Sequence, residues 1–469
     1  MATYEELLEI IKAQQKTIEK LTAELEAARE EIAELKEKLN KDSHNSSKPP
    51  STDGYEKPAP RSQRKKSGKK AGGQTGHKGH HIDLGQPDRV ERIYPQHCAN
   101  CPHREYCTHL KVHDTCYVVD VIVKKETVKY EMMECSCGGM QETARRPAGI
   151  KGTVTYGNHL KALVCVLNVK GMVAMKNLCE IIEGLTGIRP STGTVANMLC
   201  SAAAAAKTIV DSFPKKLHQN PVVHCDETGM RVEASLHWVH VICTPELTYY
   251  ALSEKRGKEA MEKIGFLTEY TGIVVHDFWT PYFKVTKAEH AMCCAHLLRE
   301  LTGIFENHPE QGWAREMYNE LLSMYRAANF YHQNPEVGSR QHYMECLKQK
   351  YDAILEKGTE QNPVLKEKGK RGRAKRGKIR AFIDRLREYK AEVCRFADNP
   401  LVPFTNNQAE HDLRMVKMKN KVIGTFRSKQ GAKDFLILKS LTSTAAKAGS
   451  TAFQALLSLF QGQFVLGTE

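Results

Sequence analysis

The sequence predicts a multidomain α/β protein in which a mixed sheet flanked by helices follows a coiled coil, a small cysteine-rich module and a helical region. Three observations predict it. Heptads fill the first 40 residues, six of the fifteen cysteines crowd between Cys98 and Cys137, and strand-like runs cluster between Pro221 and Phe278. At 469 residues the chain exceeds what one compact core supports, so several units are expected, one of them large enough for an enzyme.

The N-terminal element comes first. Tyr4, Ile11, Ile18, Leu25, Ile32 and Leu39 hold one seam position, and Leu7, Gln14, Leu21, Ala28 and Leu35 the other. Ile-rich first positions with Leu-rich second positions favour two parallel strands, so residues 1–40 are read as a dimerising coiled coil. A single long helix packed on its own protein is the competing reading. Residues 41–90 lose this periodicity and carry NSSKPPSTDG and KKSGKKAGGQTGHKGHH, the composition of a basic linker. Eight Lys or Arg and no acid lie between Lys57 and Lys78, with Arg64, Lys65, Lys66, Lys69 and Lys70 the densest group. Such a run is either a solvated tether or a contact to phosphates.

Residues 91–141 form the cysteine module. Cys98 and Cys101 make a C-x-x-C, and Cys135 and Cys137 a C-x-C, near Gly or Pro residues suited to knuckles. Four thiolates would hold a structural Zn²⁺, although His97, His103, Cys107 and Cys116 offer rival ligands. The alternating stretch from Tyr117 to Met132 is expected to be the hairpin between the knuckles. Residues 142–215 turn helical, and NLCEIIEGLTGIRPSTGTVANMLCSAA reads as helix, turn through Gly187 to Pro190, and a second helix capped by Ser191 or Thr192. A helix-turn-helix reading DNA with residues 193–203 and an ordinary helical hairpin give the same string.

Residues 216–425 carry the sheet: PVVHCDE, LHWVHVICT and LTYYALS, then a helical stretch, then GIVVHDF. Helices fill about 300–400, interrupted by KEKGKRGRAKRGKIR, whose nine cations and one acid include Lys370, Arg371, Arg373, Lys375 and Arg376. That tract is a DNA contact or a solvated loop. Residues 426–469 are expected to add two helices on either side of Gly449.

The formal charge of +14 favours polyanionic partners. No apolar run of about 18 residues is evident, which argues against a membrane span. Glu5, Glu6 and Glu9 break any secretory core, so a cytoplasmic protein of the nucleoid is expected.

Asp226 and Asp277 each follow an apolar strand and are expected at the sheet's rim. One such Asp is commonly a cap, whereas two in one domain suggest a hard-metal site. Glu410, in TNNQAEHDLR, could complete a capping box with Asn407 or pair with Arg414 one turn on. Combined with the two aspartates, it could instead help hold two metals about 4 Å apart for in-line phosphoryl transfer.

HCDET, VVHDFW, CCAHLLRE and NNQAEHDLR resemble the motifs of the insertion sequence 66 family of bacterial transposases, and the resemblance extends over nearly the whole chain. It implies an RNase H-like catalytic domain with a helical insertion between the second Asp and the Glu, which accounts for the 132 residues between Asp277 and Glu410. It implies a DDE triad of Asp226, Asp277 and Glu410 using Mg²⁺ or Mn²⁺, while His296 either packs at a strand-to-helix junction or stands beside the scissile phosphate. DNA partners would be terminal inverted repeats and target DNA, contacted also by Arg414, with accessory proteins of the same element. Two departures stand out: Cys293, Cys294, Ala295 and His296 replace the family's Cys-Trp-Ala-His, and MVKMKNKVIGTFRS replaces an Arg-Lys pair and aromatic-rich stretch. A DNA-binding regulator without the reaction, or another RNase H-like nuclease, are the alternatives. Retention of all three acids argues against the first.

Overall fold

The computed structural model of the chain describes residues 4–46, 85–137, 140–150, 152–284, 287–364 and 377–464. The chain divides into two compact units, residues 54–126 and residues 1–53 with 127–469.

The described part of the smaller unit is mostly irregular, with short helix α2 (Gln96–Ala99) carrying Cys98, the first cysteine of the C-x-x-C. In the larger unit a hairpin of β1 (Glu134–Cys137) and β2 (Met140–Thr143) pairs antiparallel. The alternating stretch Tyr117–Met132 forms no ladder, which corrects the expected hairpin. Its apolar side chains, such as Val118 and Ile122, stay exposed, and alternation without a buried face on which to pack does not specify a strand.

Five strands build the central sheet of the larger unit: β3 (Val222–Val232), β4 (Ser235–Cys243), β5 (Thr248–Ser253), β6 (Ile273–His276) and β7 (Glu289–Met292). Their order is β5-β4-β3-β6-β7. The first three meander antiparallel, while β6 joins β3 and β7 joins β6 in parallel. The β3–β4 turn places Glu233 and Ala234 at φ +50° and +64°, and Phe426 braces it by accepting the Glu233 amide at 2.9 Å. Helices α7 (Lys258–Ile264) and α8 (Phe266–Glu269) connect β5 to β6.

Both faces of the parallel strands are buried, as their continuous apolar runs require. Val223, Cys225 and Val274 from one face, with Val239 and Val241 from the other, join the first core. Helices α3 (Asn158–Val169), α4 (Met175–Thr186), α5 (Thr192–Asp211), α6 (Phe213–His218), α14 (Asn407–Val422), α15 (Lys429–Lys447) and α16 (Ala452–Phe460) cover it. Ile273, Val275, Ala291 and Met292 meet a second core centred on Trp313 and Tyr351. That core is built by α9 (Cys294–Asn307), α10 (Gly312–Gln333), α11 (Arg340–Gln361), α12 (Lys378–Glu388) and α13 (Lys390–Asp398), so the chain between β7 and α14 is a helical body of its own.

The α4–α5 turn follows cap chemistry. Gly187 closes α4 at φ +70°, and the Ser191 hydroxyl accepts the Thr194 amide at 3.0 Å. Residues Thr192–His218 are long and apolar enough to span a membrane, which corrects the expectation that the chain has no such run. Its apolarity serves the core: Val195, Met198, Leu199, Ala202, Ala206 and Val210 are buried. The exposed face near its start, with Gly193, Ala196, Asn197 and Cys200, carries no cation for phosphates.

Helix α1 (Tyr4–Leu39) runs 36 residues. Seam residues Ile11, Ile18 and Leu25 are 59%, 62% and 52% exposed. Beyond it residues 40–46 dock on α9. Asn40 Nδ2 donates to Asn307 Oδ1 at 3.1 Å, Lys378 pairs with Glu37 at 3.1 Å, and the Asn45 carbonyl fills the space a Cβ on Gly303 would occupy.

Candidate active site

The β3–β6 ladder ends at His224 opposite Val275. Two residues further along come Asp226, still within β3, and Asp277, just beyond β6, and the charge of Asp277 reaches Asp226. Asp226 does not close its strand, as the apolar run suggested; β3 continues to Val232 because its pairing with β4 carries on through Asp226 opposite Val241. Asp277 does leave the sheet, and its Oδ1 accepts the Trp279 amide at 3.1 Å in a turn. Burial, then the charges of Glu227 and Asp277, push the Asp226 carboxyl up to about 7, while Lys417 opposes them. Burial and Glu227 also push Asp277 up.

Glu227 escapes a reading of the sequence, although it directly follows Asp226. Its Oε1 accepts from Arg256 Nε at 3.0 Å and Nη2 at 2.7 Å, and its Oε2 accepts from Tyr282 at 2.6 Å. Arg256 lies over the rings of Trp238 and Trp279, 4.8 Å and 4.1 Å from their centres. With its oxygens occupied, Glu227 braces the Asp277 turn through Tyr282 and Trp279.

Glu410 lies in the first turn of α14, but not in a capping box. The N-cap is Asn406, one residue earlier than a box with Asn407 requires, and its side chain makes no cap. Asn406 Oδ1 instead meets His224 Nδ1 at 2.9 Å, its Nδ2 donates to the Cys225 carbonyl at 2.8 Å, and its amide donates to Cys293 Sγ at 3.1 Å. One buried asparagine therefore joins β3 beside Asp226, the head of α9, and the helix of Glu410. Glu410 Oε1 faces His296 Nδ1 at 3.9 Å and Arg299 at 4.0 Å, and Arg414 is exposed. Burial, then Arg299 and Lys417, push His296 down to about 4, so the ring is neutral at pH 7 and its contact with Glu410 is no ion pair. Among the described residues, Cys293, His296 and Glu410 are the group whose ligand atoms lie within 4.8 Å of one another; Asp226, Asp277 and Glu410 are not drawn that close.

The sequence model described as Transposase IS66 family matches residues 153–434, from the start of the helical region through Glu410 into α15. The chain belongs to the IS66 family of transposases. A second model, described as Family of unknown function (DUF6444), matches residues 4–83. No curated protein matches the chain.

In this IS66-family chain the remaining predicted site residues fall elsewhere. Arg64, Lys65, Lys66, Lys69, Lys70, Lys370, Arg371, Arg373, Lys375 and Arg376 lie outside the described residues. Cys98 and Cys101 sit in a turn in which the Cys101 amide donates to the Cys98 carbonyl at 3.2 Å. Cys135 and Cys137 lie on β1 of the larger unit. The matched region holds every acid singled out above, together with Asn406, Arg299 and Lys417, which sequence reasoning passed over. Only the Asn-Asn pair before Glu410 hinted at Asn406.

Proposed function

We propose that this IS66-family chain is a DDE-type transposase that cuts and rejoins DNA at the terminal inverted repeats of its own insertion sequence. Asp226, Asp277 and Glu410 would hold Mg²⁺ or Mn²⁺. The observation that carries this reading is that the charge of Asp277 bears on Asp226 while Asn406 pins the helix of Glu410 to the residue before Asp226. The sheet order supports an RNase H-like domain: an antiparallel meander of three strands, with two more added parallel to its first.

The donor set fits the ion. Burial and Glu227 raise both Asp226 and Asp277, Glu227 is occupied by Arg256 and Tyr282, and Glu410 Oε1 is buried without a hydrogen-bond partner, so three acids remain for a hard cation. When bound, Mg²⁺ supplies Lewis-acid activation of water or a 3′-hydroxyl and neutralises charge on the scissile phosphate. The protein's own groups position the rest. Arg299 beside Glu410 can hold a non-bridging phosphate oxygen, and neutral His296 can accept a hydrogen bond from the attacking group.

The same reading assigns the tracts at 64–70 and 370–376, with Arg414, to DNA phosphates, the exposed α1 seam to a second copy, and the pairs Cys98/Cys101 and Cys135/Cys137 to zinc. The test is strand cleavage and transfer on the element's own ends in Mg²⁺. Asp226→Asn, Asp277→Asn and Glu410→Gln should each lower cleavage by about 10²-fold or more while leaving end binding intact. Unchanged cleavage in any of them removes that residue from the site.

A further inference from the structure

We propose that Cys293, His296 and Glu410 form a site for one thiophilic divalent cation of the Zn²⁺ class, distinct in chemistry from the hard-cation site but sharing Glu410 with it. The three come from two elements already locked together. Cys293 is the N-cap of α9, His296 follows within its first turn, and Glu410 lies in the first turn of α14; the Asn406 amide bonds Cys293 Sγ and the Cys294 amide bonds the Phe404 carbonyl at 3.0 Å.

Two of the three donors are buried polar atoms with nothing to bond. His296 Nδ1 and Glu410 Oε1 both lack a hydrogen-bond partner and face one another at 3.9 Å. Leaving such atoms unpaired is costly, and one cation between them satisfies both. Zinc bonds of about 2.0–2.3 Å put tetrahedral ligand atoms roughly 3.3–3.8 Å apart, so atoms already within 4.8 Å need shift by about an ångström or less.

Donor identity selects the metal. One sulfur, one imidazole nitrogen and one carboxylate oxygen, with a fourth position open, suit Zn²⁺ or Co²⁺, whereas Mg²⁺ takes oxygens almost exclusively. Binding releases the Cys293 thiol proton to solvent, and the resulting thiolate with the Glu410 carboxylate neutralises the dication. That neutrality matters because Arg299 stands 4.0 Å from Glu410. The amide on Cys293 Sγ is the kind of outer hydrogen bond that holds a metal-bound thiolate.

A consequence for DNA cleavage rests on the function proposed above. A thiophilic cation that captures Glu410 withdraws it from Asp226 and Asp277, so excess Zn²⁺ should inhibit Mg²⁺-dependent cleavage.

Binding is tested with Co²⁺ alone, on the full chain carrying Cys98→Ser and Cys101→Ser so that the C-x-x-C adds no thiolate signal. The expected result is a tetrahedral visible spectrum with a sulfur-to-cobalt charge-transfer band. Cys293→Ser should remove that band, and the less buried His296→Ala should weaken Co²⁺ affinity at least tenfold while circular dichroism stays that of the parent. The site is overturned if the parent shows no such band, or if His296→Ala binds Co²⁺ as the parent does. Cleavage in Mg²⁺ without Co²⁺ separates the two proposals: intact cleavage with no band sinks only this site, and a clear band without cleavage sinks only the transposase reading.

Discussion

Asp226 and Asp412 are both withdrawn from water, yet their carboxyls are displaced in opposite directions. Burial and the acids Glu227 and Asp277 push Asp226 up to about 7, with Lys417 in partial opposition. Burial also works against Asp412, but Lys447 at 2.8 Å and the Thr248 hydroxyl at 2.9 Å outweigh it and hold that carboxyl below its ordinary value. Linkage turns this into opposite pH dependences. Asp226 binds its proton more tightly folded than unfolded, so its contribution to stability is greatest below about 4 and is lost as pH rises through about 7. Metal-free Asp226→Asn should therefore melt above the parent at pH 8, by on the order of 1 kcal/mol, and the difference should shrink toward pH 5 in a thermal scan. An Asp226→Asn protein that melts lower at pH 8 would contradict the raised carboxyl. For Asp412 the stabilisation is present above the unfolded value near 3.8 and fades as pH falls through its lower folded value. Asp412→Ala strands the Lys447 ammonium and should cost about 3–5 kcal/mol by denaturant unfolding at pH 7.

At the scale of elements, α14 is held from two sides. Asp412 anchors it to β5 and α15, and Asn406 anchors its start to β3 and the head of α9. Asn406→Ala removes both side-chain hydrogen bonds from a buried position and should cost roughly 2–4 kcal/mol. Asn406→Asp keeps the acceptor for His224 and should recover part of that loss. If Asn406 positions Glu410, kcat for cleavage should fall while the affinity for DNA ends holds; a parallel fall in both points to general unfolding. Element type was largely legible in the sequence here. The heptads of α1, the Gly187 and Ser191 caps, four of the five strands and the helices flanking 365–376 all follow from periodicity and caps, whereas β7, a short EHAM run, shows only in its pairing with β6. Elsewhere non-local partners decided. The β3 strand passes through Asp226 because β4 pairs with it, which the end of the VVHC run could not reveal. Glu227 finds Arg256 only after β4 and β5 have intervened, and Tyr282 only after α7, α8 and β6 as well, and Asn406 meets its three partners only in the folded sheet. The alternation at 117–132 misled for the converse reason: the pattern was there and a packing surface was not.

For the whole molecule, charge and assembly are the relevant properties. An excess of 14 cations predicts binding to DNA ends that weakens steeply with salt, and log–log plots of affinity against salt should slope well below −1. A near-flat plot would take phosphate contacts out of the reading. The exposed seam of α1 predicts that Ile11→Lys with Ile18→Lys dissociates the chain to monomers in sedimentation equilibrium; an unchanged mass would return α1 to the status of a lone helix.

The docking of Asn45 onto Gly303 gives α1 a fixed foot on α9, the helix that begins at Cys293. At about 1.5 Å per residue the helix is a rod of roughly 54 Å, and rotation about its axis is tied to the body beneath it. Rod length and rotational phase are thus separable. Excising seven residues shortens the rod but leaves the seam facing within about 20° of its original bearing, whereas excising two swings it by roughly 160°. In a parallel pair the first change keeps the two attached bodies side by side at one end, and the second forces them to face away from each other. Joint cleavage of two DNA ends should survive the seven-residue excision and fail with the two-residue one, although both proteins keep the same three acids.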